Sequence, residues 1–113
     1  MGADLAIVVG VTLILLIASG AWAEFRFADF DKLPMHYGVT GKPTRYGSRR
    51  LAIWLPTGML IFVVALNYVL MSALSPEQIN GDPHFGIMLT CGIIVVAQIF
   101  ILWLHHRWAR AQG

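Results

Sequence analysis

Three apolar stretches, at about residues 4–23, 51–74 and 85–104, dominate this 113-residue chain, and none carries an Asp, Glu, Lys or Arg between its ends. A helix rising about 1.5 Å per residue needs about 20 apolar residues to cross a hydrocarbon core about 30 Å thick. All three stretches meet that length. Charged residues make up only 12% of the chain and hydrophobic ones 58%, whereas soluble domains carry roughly 25% charge. The chain therefore reads as one all-α integral membrane domain over residues 1–113, with three transmembrane helices and a turn-rich loop, 24–50, between the first two. Ala21-Trp22-Ala23 loosely resembles the end of a secretory signal peptide. The apolar run before it exceeds a usual signal core and no basic residue precedes it, so the first span is expected to be retained.

Charge gives the expected direction. Arg26, Lys32, Lys42, Arg45, Arg49 and Arg50 fall in the first connection, and Arg107 and Arg110 follow the third span. The short connection 75–84 has no basic residue. The positive-inside bias then places the first connection and the C-terminus in the cytoplasm and the N-terminus outside. Trp22, Trp54, Trp103 and Trp108 all fall near the basic face, where amphipathic rings settle at headgroup level. His105 and His106 are expected in the same layer as interface residues, because neighbours on a helix point apart and chelate poorly together. Nucleic-acid binding is not expected, since the basic residues lack interleaved stacking aromatics.

The connections carry local signals. Ser48 is an expected cap for the second span, and Asp82-Pro83 for the third. Ser75-Pro76-Glu77-Gln78 suggests one surface turn closed by Asn80-Gly81. In the first connection Pro34, Gly38, Gly41, Pro43 and Gly47 forbid a continuous helix. His36 has no Cys, carboxylate or second His near it in the loop, so it is expected to hydrogen-bond turn backbone and not to bind metal.

Leu33, Pro34, His36, Gly41, Pro43, Tyr46, Gly47, Ser48 and Arg49 follow the order Leu-Pro-x-His, Gly-x-Pro, aromatic, Ser-Lys/Arg between two spans. This segment resembles a bacterial membrane family defined by a domain of unknown function that also forms the N-terminal part of Sdp-type toxin-immunity proteins. The resemblance implies a membrane fold, set in a bacterial inner membrane, and an immunity or signal-linked role, and it implies no catalysis. Lys42 and Thr44 stand where the family usually carries acidic residues, so no shared cation site is implied.

Polar residues inside the spans are expected to tie the helices together, because hydrocarbon offers them no partners. By helical rise, Asn67 and Gln98 differ in depth by about 10 Å and cannot meet. Two layers follow: Asn67 with Thr12, Thr90 or Cys91, and Gln98 with Ser19. Ala6 with Gly10, and Ser19 with Ala23, are candidate close-approach pairs. Pro56 and Gly58 are candidate bend positions in the second span.

No nucleophile–base pair, paired carboxylates or phosphate-cradling loop is legible, so the chain is expected to be non-enzymatic, with no cofactor or metal. The function expected is binding of another membrane protein, or membership of a larger complex, through loop residues Pro34, His36, Gly41, Pro43, Tyr46 and Arg49. The alternative is a small oligomeric transporter or channel. Both place the chain in the lipid bilayer, with a protein partner or copies of itself.

Overall fold

The structure, a computed structural model, describes residues 3–40, 42–74 and 82–112. Helix α1 runs Ala3–Arg26, α2 Arg49–Ala73 and α3 Pro83–Ala111. All three are long and apolar enough to cross a membrane. Their starts are set locally. Ser48 caps α2 by accepting from the Leu51 N–H at 3.3 Å, and Asp82 caps α3 by accepting from the His84 N–H at 3.0 Å. The turn expected at Ser75–Gly81 lies outside the described residues. Helix α2 continues through Pro56, although proline cannot donate the helical bond to the Ala52 carbonyl.

Residues 24–50, expected as a turn-rich loop, contain a two-stranded antiparallel hairpin, β1 Lys32–Tyr37 and β2 Pro43–Ser48. Its register pairs Lys32 with Ser48, Leu33 with Gly47, Pro34 with Tyr46, His36 with Arg45 and Tyr37 with Pro43. The ladder is irregular on both sides of His36. Irregular pairing fits strands that each contain a proline, which supplies no ladder donor. The Gly38 N–H closes the turn on the Lys42 carbonyl at 2.8 Å.

Two apolar clusters lie along the bundle. One joins Leu5, Val9 and Leu16 of α1 to Val64 of α2 and Ile87, Cys91 and Ile94 of α3. The other joins Ala23, Phe27 and Leu33 to Ala52 and Ile53 of α2 and Leu102 and Ala109 of α3. Between them sits a polar layer. Gln98 Nε2 donates to Ser19 Oγ at 2.9 Å and to Thr57 Oγ1 at 3.1 Å, so one amide holds all three helices. Ser19 donates its own hydrogen to the Leu16 carbonyl at 2.9 Å, and Thr57 donates to Ile53 at 2.6 Å. With each hydroxyl hydrogen on its shorter bond to backbone, lone pairs face Gln98 and accept its two N–H groups, while Gln98 Oε1 lies 3.5 Å from Thr57 Oγ1.

The expected Asn67 layer is different. Thr12 donates to the Val8 carbonyl at 2.9 Å and Thr90 to Gly86 at 2.9 Å. Among the described residues no hydrogen bond joins half-buried Asn67 to Thr12, Thr90 or Cys91. A helical Thr hydroxyl finds the carbonyl four residues back without leaving its own helix, and that local bond wins here. Of the expected close-approach pairs, Ser19 and Ala23 do face the other helices, Ala23 wholly buried and Ser19 bonded to Gln98, whereas Ala6 and Gly10 do not. Ala6 is exposed and a Cβ on Gly10 would meet nothing within 4 Å. The tight contact is at Gly20, against the Trp54 ring.

Candidate functional site

The α3 helix has 29 residues, about 43 Å at 1.5 Å per residue, more than a hydrocarbon core about 30 Å thick. Its last turns run beside the hairpin and are joined to it by aromatic rings. Phe27 and Tyr37 lie 6.0 and 5.8 Å from the His105 ring, and Phe30 and Tyr46 lie 5.0 and 6.0 Å from Trp108. Leu33 and Phe27 are wholly buried in this seam. His105 and Trp108 are therefore packing residues. Trp54 is one also, over Gly20, while Trp22 and Trp103 remain half exposed, as headgroup-level rings would.

His105 is only 3% exposed. Its Nδ1 lies 2.7 Å from the Ile101 carbonyl, an acceptor, so Nδ1 carries the proton of that bond. Among the described residues, His105 Nε2, His106 Nδ1, Tyr37 Oη and Arg49 Nε are buried without a hydrogen-bond partner. Tyr37 therefore holds its proton strongly. Burial, helped by nearby Tyr46 and opposed by Arg107, pushes its phenol up to about 12. The folded value lies above the unfolded one of about 10, so Tyr37's contribution to stability is complete below pH 10 and is lost as pH rises from there towards 12. An alkaline titration of near-ultraviolet tyrosinate absorbance should show one late component, absent in Tyr37→Phe. An unchanged profile in that variant would disprove this assignment.

Arg49 holds the hairpin to the bundle. Its Nη1 donates to the Ala28 and Phe30 carbonyls, each at 3.0 Å, and its backbone N–H donates to Asp31 at 3.0 Å. These carbonyls lie in the turn just past the end of α1, so the guanidinium ties the start of α2 to the approach to β1. Arg50 pairs with Glu24 at 3.4 Å in an exposed contact, which is worth about 1 kcal/mol at most.

The residues expected to bind a partner therefore separate. Pro34 is buried and Arg49 is occupied by carbonyls, so neither offers a free surface. Both were candidates because loop position was all that could be read for them. Gly41 lies outside the described residues. Pro43 is half-buried, and Tyr46 is exposed on the face shared with Trp108. His36 is exposed and makes no hydrogen bond to turn backbone among the described residues, contrary to expectation. Ladder pairing places it beside Arg45 instead. Val39 at the tip is fully exposed, at 110%, and sequence reasoning passed over it. An apolar residue inside Gly-Val-Thr-Gly was the available signal.

Several clefts lie along this end and the middle of the bundle. Two lie between α1 and α3: one of about 420 Å³ beside Trp22, Trp103 and His106, and one of about 220 Å³ above Ser19 and Gln98. A third, about 250 Å³, lies between the hairpin and α2 and is lined by Met35, His36, Arg45, Ala52, Leu55, Pro56 and Met59. Among the described residues no group of three or more His, Cys, Asp or Glu is placed to hold a metal ion. The hairpin presents an exposed apolar tip at Val39, an aromatic side at Tyr46 beside Trp108 and a basic side at Arg45. Compared with known proteins, this chain matches no family model, no curated protein and no solved structure.

Proposed function

We propose that this chain is a non-enzymatic membrane protein that binds another membrane protein through the outward face of its hairpin. It acts in the manner of an immunity or signalling protein, or as an accessory subunit of a larger complex. The observation that carries this reading is the hairpin itself. An exposed tip, Val39, and an exposed strand, β2, are mounted on the bundle by Arg49 and a buried aromatic seam. A hairpin already folded against the bundle has less to order when a partner arrives, which lowers the entropic cost of binding. The outer edge of β2 also carries unpaired backbone groups that a partner strand can meet. The likeness of Leu33–Arg50 to the immunity-related family supports the same role. On the charge bias of the connections, the hairpin faces the cytoplasm of a bacterial inner membrane and the N-terminus lies outside.

Purification of the full chain in mild detergent should recover a stoichiometric membrane-protein partner. Val39→Asp together with Tyr46→Ala should reduce that recovery about tenfold or more, the loss of one strong interface residue being worth about 1.4 kcal/mol or more. A homogeneous self-associated oligomer with no partner would instead favour the transporter or channel reading.

A further inference from the structure

We infer that the cleft between the hairpin and α2 is a binding site for one anionic phospholipid, with the phosphate on Arg45 and His36 and the start of an acyl chain along Leu55 and Met59. Three observations converge. First, the ladder pairs His36 with Arg45 across the strands, and both side chains are exposed and line this one cleft. Second, Arg45 has no ion-pair partner among the described residues, whereas Arg50 has Glu24 and Arg49 has two carbonyls. A guanidinium left uncompensated beside an apolar floor attracts an anion, and its fork matches phosphate oxygens. Third, the opposite wall is the lipid-facing side of α2, where Leu55 and Met59 are 47% and 62% exposed.

Dimensions suit this occupant. The wall from Ala52 to Met59 descends about 10 Å along the helix, from the hairpin towards the hydrocarbon. The cleft offers about 250 Å³. That leaves room for a phosphoglycerol group with the first carbons of a chain. Cationic top and apolar bottom suit a headgroup at the membrane surface and a chain pointing inward. The partner-binding residues Val39 and Tyr46 are not part of this cleft, so the two sites can be tested separately.

Native mass spectrometry of the full chain in detergent, with dioleoyl phosphatidylglycerol or dioleoyl phosphatidylcholine added, tests the site. One phosphatidylglycerol should stay bound in preference to phosphatidylcholine. Arg45→Gln should lower its occupancy about fivefold, the effect of one basic residue at an anionic surface, while Arg45→Lys should keep most of it. Lys42→Gln, at the turn, should leave occupancy unchanged, and glycerol phosphate in excess should not displace the lipid. Circular dichroism of each variant checks that the helices are intact. Equal losses for Lys42→Gln and Arg45→Gln would reduce the effect to general surface charge. Displacement by glycerol phosphate would make the ligand a soluble phosphate ester. Equal retention of the two lipids would also overturn the assignment. None of these outcomes bears on partner recovery through Val39 and Tyr46.

Discussion

Replacing Gln98 by alanine is expected to lower the stability of the bundle in detergent by about 2–4 kcal/mol, read as a shift in the midpoint of unfolding by sodium dodecyl sulfate. Helices in lipid gain little from burying apolar surface against one another, because acyl chains are equally apolar. Specific bonds and close packing decide how they associate. The Gln98 amide makes two interhelical bonds, to Ser19 and Thr57, and such bonds average about 0.6 kcal/mol each and reach about 1.7. Removing most of the buried side chain adds a packing cost on the order of 1 kcal/mol or more. Gln98→Leu separates the two contributions. It fills nearly the same volume and leaves both hydroxyl hydrogens on their own helix carbonyls, so it should cost only the bonds, about 1–2 kcal/mol. A double-mutant cycle of Ser19→Ala with Gln98→Leu should show coupling near 0.6 kcal/mol or above. Zero coupling, with Gln98→Leu as stable as the parent, would remove the clamp from the account.

Gly20→Ala should destabilise the protein by about 1–3 kcal/mol, the opposite of what helix propensity predicts. In a helix interior alanine is preferred over glycine by about 1 kcal/mol. At Gly20, however, an added Cβ would lie 2.6 Å from Trp54 Cη2 and 2.7 Å from Cζ3. Those are atoms of a rigid ring, so the α1–α2 contact itself must open. Gly10 is the control. A Cβ there meets nothing within 4 Å, and Gly10→Ala should be neutral or stabilising. Trp54→Leu should rescue Gly20→Ala by withdrawing the ring. A Gly20→Ala protein as stable as Gly10→Ala would show that the helices do not depend on this approach.

How much was legible follows the range of each interaction. The caps at Ser48 and Asp82 were readable because a cap bonds within three residues of itself. The Gln98–Ser19 bond was readable because helical rise turns residue number into depth. Thr57 could have been found by the same depth reckoning, since it lies between Ile53 and Val64 of α2 at the level of the polar layer. Attention to Asn67, the more polar residue, obscured it. Thr12 and Thr90 were misjudged because depth says nothing about a hydroxyl's bond to its own helix. The hairpin was hidden for another reason. Two short strands with Pro34, Pro43 and Gly47 have no two-residue alternation to detect.

Composition and order alone determined that three helices lie in lipid, where they begin, and which end of the molecule is basic. These are consequences of transfer free energy and of bonds between near neighbours, and no fold is needed to deduce them. Tertiary structure decided the rest: which polar atoms meet, that Gly20 lies under Trp54, that His105 is buried against Phe27 and Tyr37, and that Arg49 is engaged by carbonyls while Arg45 lines the cleft with no ion-pair partner among the described residues. Each of these depends on how helices are rotated about their axes and on residues far apart in the chain. Rotation is set by packing, and an apolar stretch of near-uniform composition does not encode it locally.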